Sequence, residues 1–129
     1  MKHIIFTLLL AVVAISATAD EVMTKQGDTY IVNTTTICKT KGFKSTTPLE
    51  VYIQKGRILK IVPLKNMESK GYFARVQKFV LTKYESLEVS KAKKLSAKPE
   101  VDGCTGATYS TTAVQDNIHE AIRYYEKNK

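Results

Sequence analysis

The sequence predicts an α+β domain, a small antiparallel sheet with a hairpin packed by an internal helix and a C-terminal helix. Three observations carry that expectation. β-branched and alternating apolar residues occupy Asp28 to Ile37 and Leu49 to Leu64, apolar residues spaced by three and four follow Gly71, and a second such stripe runs from Val114 to Tyr125. With 129 residues, 43% of them hydrophobic, the chain has room for one modest core and none for a large two-domain enzyme.

The elements follow in chain order. Met1-Lys2-His3 and the uncharged, mainly apolar run Ile4 to Ala17, closed by Ala17-Thr18-Ala19, read as a secretory signal peptide cleaved after Ala19. The run is shorter than the roughly 18 residues that a membrane span needs. Residues 1–19 are therefore expected to be a leader, and 20–129 a mature domain that is periplasmic or secreted and spans no membrane.

From Asp28 to Ile37 the β-branched run predicts a first strand, ending before the turn-prone Lys39-Thr40-Lys41-Gly42. Leu49, Val51 and Ile53 alternate with Glu50, Tyr52 and Gln54, Lys55-Gly56 supplies a tight turn, and Ile58 to Leu64 return as the second arm of a hairpin. Pro63 has no N–H to donate, so pairing is expected to stop there or to face solvent. Tyr72, Phe73, Val76, Phe79, Val80 and Lys83 predict an amphipathic helix. Ser86 to Pro99 is lysine-rich and reads as a short helix or loop with a solvated basic face. Val114, Ile118, Ala121, Ile122 and Tyr125 form the last stripe, with Thr112 and Gln115 as a capping box, so a helix is expected from about Thr112 to Glu126.

The formal charge of +8 leaves an anionic membrane, a phosphate-bearing cofactor or an acidic partner as candidates, and export makes nucleic acid the weakest of them. Cys38 and Cys104 form an even pair in an oxidising compartment, where a disulfide is the natural candidate. Neither sits in a zinc-ligand pattern, and His119 is the one histidine after the leader, so no metal site is expected.

The chemistry concentrates between the lysine-rich segment and the final helix, in Asp102-Gly103-Cys104-Thr105-Gly106-Ala107-Thr108-Tyr109-Ser110-Thr111-Thr112. This small-residue, hydroxyl-rich loop leads into a helix N-terminus, where unpaired N–H groups and the positive dipole end can receive a phosphate. Gly103 and Gly106 would let a ligand approach the backbone, and Thr105, Thr108, Ser110 and Thr111 offer hydroxyls. An ordinary capped helix after a loop is the simpler alternative on residue chemistry alone.

Asp102 to Thr108 resembles the Asp-Gly-x-Ser/Thr-Gly-Ala-Thr signature of the FMN-binding domain family, found in subunits of the Rnf and sodium-pumping NADH:quinone oxidoreductase complexes and in exported flavoproteins. The resemblance extends upstream through Thr47 to Val51, Gly56-Arg57-Ile58 and Ile61, and through Glu68-Ser69-Lys70-Gly71, which is similar to a Glu-Thr-Pro-Gly segment near the flavin. Ser69 and Lys70 stand where Thr and Pro are usual, and Ser110-Thr111 where Thr-Ser is commoner.

The resemblance implies that a separate flavin transferase moves FMN from FAD onto the hydroxyl of Thr108 as a phosphoester. It implies a flavin site built from Glu68, Ser69, Gly71, Asp102, Gly103, Thr105, Gly106, Ala107, Ser110 and Thr111. Asp102 is either a recognition or magnesium-proximal carboxylate for the transferase or the anchor of an Asx turn. Tyr72 and Tyr109 are candidates to stack on the flavin ring, whereas Phe73 fits the core better. No catalytic residues are expected, because a bound flavin would carry the chemistry.

The expectation is an exported FMN-carrying electron-transfer protein, more a carrier than a turnover enzyme. Its partners would be redox proteins, with membrane-bound ones among the candidates. Two alternatives stand beside it. One is a small secreted binding or inhibitory module stapled by Cys38–Cys104, and the other is a family member that holds FMN or another phosphate ligand without a covalent bond.

Overall fold

A computed structural model describes residues 21–42, 44–97 and 108–129. The expected leader, Cys104 and residues 102–107 of the hydroxyl-rich loop lie outside the described residues. Four strands, β1 (Met23–Gln26), β2 (Thr29–Asn33), β3 (Leu49–Gln54) and β4 (Arg57–Pro63), form one antiparallel sheet in the order β1-β2-β3-β4. Among the described residues three α-helices follow, α1 (Lys70–Phe79), α2 (Val89–Ser96) and α3 (Thr108–Asn128), with a short 3-10 turn (Leu81–Tyr84) after α1. The α+β architecture is the expected one.

The β3–β4 hairpin turns as its sequence predicts. Lys55 and Gly56 both take positive φ, 51° and 74°, which gives a two-residue turn whose twist matches the flanking strands. Tyr52 faces Lys60 and Ile53 faces Ile58, so Leu59 is an extra, bulged residue and stays 49% exposed. Pro63 closes β4 at the edge of the sheet, where its missing N–H costs nothing. At the other end of β4 the edge is covered by backbone. Ile58 N–H donates to Leu87 O at 2.9 Å, Ser86 N–H to Ile58 O at 2.8 Å, and Arg57 pairs with Glu88 at 3.3 Å.

The first strand differs from its expected span of Asp28 to Ile37. β2 ends at Asn33, and residues 35–37 form a turn. The reason is Thr34, which is fully buried: its hydroxyl accepts from Leu49 N–H at 2.9 Å and so ends the ladder with a side chain. β1, Met23–Gln26, was not expected, because its sequence Met-Thr-Lys-Gln carries no alternation.

One face of the sheet presents Val32, Leu49, Val51, Ile53, Ile58 and Ile61 to Phe73, Val76 and Val80 of the α1 region and to Val114, Ile118, Ala121, Ile122 and Tyr125 of α3. Every residue of the expected C-terminal stripe is buried, and Phe73, 6% exposed, belongs to the core. Phe79 departs from the predicted stripe and stays 42% exposed at the end of α1. The lysine-rich segment forms α2, which buries Val89 and Ala92 and leaves Lys91 and Lys94 exposed. Among the described residues no helix is long and apolar enough to cross a membrane.

The start of α3 corrects another expectation. The helix begins at Thr108, not near Thr112, so Thr112 is not its N-cap. Thr112 lies exposed within the helix, while Gln115 is buried and donates from Nε2 to the Tyr84 hydroxyl at 3.0 Å. Tertiary partners hold the first turn, and they belong to the site.

Candidate functional site

Glu68 is the centre of the site. It sits in the connection from β4 to α1 and is only 7% exposed. A carboxylate is buried at tolerable cost only when donors surround it, and here they do. Oε2 accepts from the N–H groups of Lys44 and Ser45 at 2.6 and 2.7 Å, and Oε1 accepts from the Ser110 hydroxyl in the first turns of α3. Such charge-assisted bonds are about twice as strong as neutral ones.

The loop that supplies the two N–H groups is itself closed, by a bridge between Lys41 and Thr46 and by Gly42 N–H donating to Ser45 O at 2.7 Å. A Cβ at position 42 would lie 2.6 Å from Glu68 Oε1 and 3.2 Å from Ser110 Cα, so only glycine lets this loop close over the carboxylate. The segment before Glu68 is fixed as well. Asn66 Oδ1 accepts from Glu68 N–H at 2.9 Å in an Asx turn, and Ser45 Oγ accepts from Met67 N–H at 2.9 Å. Three stretches distant in sequence, 42–46, 66–68 and the start of α3, thus meet on one carboxylate.

Beside Glu68, Pro63, Asn66, Lys70, Phe73 and Gln77 line an open groove of about 400 Å³. Its lining mixes the apolar Pro63 and the edge of the core residue Phe73 with the polar Asn66, Lys70 and Gln77. An apolar surface with a few polar groups is the usual makeup of a small-molecule site. Ser69 precedes α1 as its N-cap residue without a side-chain capping bond, and Gly71 is exposed, with open space where a Cβ would stand.

The hydroxyls at the start of α3 are not equivalent. Ser110, 2% exposed, is committed to Glu68. Thr111 is fully buried, and among the described residues its hydroxyl is the one buried side-chain polar atom without a hydrogen-bond partner. Such an atom loses its hydration without compensation, a cost that natural cores seldom carry without a reason.

Of the residues expected from sequence, the structure joins Glu68 to Ser110, buries Thr111 in the same first turns of α3, and puts Ser69 and Gly71 at the start of α1. Thr108 and Tyr109 enter as the first two residues of α3 and Tyr72 as part of α1, each by backbone position. Asp102, Gly103, Thr105, Gly106 and Ala107 lie outside the described residues. Cys38 is buried with a free thiol, and Cys104, its expected partner, is outside the described residues. Sequence reading missed Gly42, Lys44, Ser45 and Asn66. Only the Asn-x-Glu spacing of Asn66 and Glu68 carried a local signal.

A family model described as an FMN-binding domain matches residues 42–123, from the glycine that closes over Glu68 to the second half of α3. No curated protein and no solved structure matches the chain.

Proposed function

The chain belongs to the FMN-binding domain family, with FMN as its cofactor, and from that premise we propose that it is an exported electron-transfer protein whose FMN is joined to Thr108. The residues present fit the cofactor. The unpartnered Thr111 hydroxyl lies in the first turns of a helix, where N–H groups and the dipole end favour a phosphate. The groove beside Glu68 mixes apolar and polar lining residues, the makeup usual for a small-molecule site.

In this reading Thr108 supplies the acceptor oxygen. Its hydroxyl attacks the FMN-side phosphorus of FAD, so the P–O bond to the bridging anhydride oxygen breaks, AMP leaves with that oxygen, a new P–O bond joins FMN to the threonine, and the hydroxyl proton is released. A separate flavin transferase would catalyse that step. Thr111 offers its hydroxyl to the phosphate, Asn66, Lys70 and Gln77 offer donors along the groove, and the half-buried Pro63 adds apolar surface. The bound flavin supplies one- and two-electron redox chemistry, which side chains alone lack.

Export rests on the leader sequence before Asp20, and covalent attachment suits it, since FMN lost outside the cell has no pool to replace it. The observation that carries the proposal is the unpartnered Thr111 hydroxyl three residues after Thr108, in a chain with the family's hydroxyl-rich loop. The test is the intact mass of denatured protein made together with a flavin transferase. An FMN-sized adduct supports covalent attachment, and a bare chain that nonetheless binds free FMN favours the non-covalent alternative.

A further inference from the structure

We propose that Glu68 is a positioning residue for flavin attachment, fixing the first turns of α3 so that Thr108 is presented to the transferase while Ser110 is withheld from it. The proposal rests on Thr108 being the attachment site.

The argument starts from the carboxylate's partners. One oxygen holds the N–H groups of Lys44 and Ser45, and the other holds the Ser110 hydroxyl. A helix start frays unless something outside it binds the first turn. The Ser110 bond is such a tie, two residues from Thr108, and it fixes the rotation of the helix at that point. Gly42 adds a second constraint, because its loop packs so closely on the start of α3 that a Cβ at this position would lie 3.2 Å from Ser110 Cα.

The same bond selects among hydroxyls. Ser110 is buried and donates to Glu68, and Thr111 is fully buried, so neither offers an oxygen to an enzyme approaching from solvent. Thr112 is exposed but lies further along the helix. Losing the Glu68–Ser110 tie would both loosen the acceptor turn and release a competing hydroxyl. Group transfer is sensitive to such displacement, since a misplacement of about 1 Å can cost on the order of 100-fold in rate.

The experiment incubates the full chain with FAD, magnesium and a flavin transferase, and records the initial rate of attachment, the modified residue by peptide mapping and the melting temperature. Ser110→Ala and Glu68→Ala should slow attachment by about tenfold or more, with part of the Glu68→Ala adduct moved from Thr108 to Ser110. Glu68→Gln keeps an oxygen for the two N–H groups and a nitrogen that can pair with Ser110, and should restore most of the rate and all of the fidelity. Should Glu68→Ala fail to fold, Ser110→Ala carries the rate test. Wild-type rate and an adduct on Thr108 alone in the alanine variants would overturn the proposal while leaving Thr108 as the attachment site. A slowdown that merely tracks lost melting temperature across the three variants would reduce Glu68 to a structural role and overturn it too. A wild-type chain with no adduct on Thr108 would remove the attachment reading and this proposal with it.

Discussion

Thr34, just past the end of β2, and Asn117 in the middle of α3, 83 positions apart, are joined side chain to side chain inside the core. Neither has any exposed surface. Asn117 also donates from Nδ2 to Ala113 O at 2.8 Å and reaches Thr47 Oγ1 at 3.4 Å, while Thr34 replaces a ladder bond to Leu49. This network sets α3 in one rotation against the sheet. Seven residues make about two helical turns, so it also sets the face on which Ser110 meets Glu68.

Asn117→Ala should therefore cost about 1–3 kcal/mol of stability, because the Thr34 and Thr47 hydroxyls lose a buried partner. Chemical denaturation would read the loss. An unchanged midpoint would mean that the network contributes no net stability.

Thr111→Val should behave in the opposite way in the flavin-free protein. It removes a buried hydroxyl that has no partner among the described residues, so stability should hold or rise by up to about 1–3 kcal/mol. After flavin attachment the sign should reverse, and the gain in melting temperature on attachment should be smaller in the variant than in wild type. A variant that is destabilised without flavin, or gains as much from it as wild type, would show that the hydroxyl does not serve the cofactor.

Tyr52 gives the fold an alkaline signature. Its hydroxyl donates to Glu50 Oε1 at 3.3 Å. Partial burial first, then the charge of Glu50 and this hydrogen bond, raise its pKa above the ordinary value of 10.0. A raised folded-state pKa means that the contribution is whole below pH about 10 and is lost as pH rises through the folded value. The stability difference between wild type and Tyr52→Phe should accordingly shrink above pH about 10. Denaturation midpoints of the pair at several pH values check this, and a constant difference would contradict it.

The hairpin and the buried face of α3 were legible because each is written locally, as a period of two around Lys55-Gly56 and as a spacing of three and four from Val114 to Tyr125. β1 was not legible, since Met-Thr-Lys-Gln shows no period and takes its place by pairing with β2. The first strand read too long because threonines continue past Asn33, whereas Thr34 turns its hydroxyl on Leu49. The helix start read too late for a similar reason. Thr112 and Gln115 have the spacing of a capping box, but Gln115 is drawn to Tyr84, and Ser110 is drawn to Glu68 across 42 positions. The site's motif residues were visible in sequence, but the carboxylate clamp that ties Glu68 to Lys44, Ser45 and Ser110 exists only in the fold.

Peptide mapping of the wild-type chain and of Thr108→Ala, each made with a flavin transferase and washed under denaturing conditions, tests the central claim most directly. FMN attached through Thr108 predicts one flavin-bearing peptide in wild type, with the adduct on Thr108, and a folded but colourless Thr108→Ala protein. An adduct that survives in Thr108→Ala, or a wild-type peptide modified at Thr105 or Ser110 instead, would contradict it.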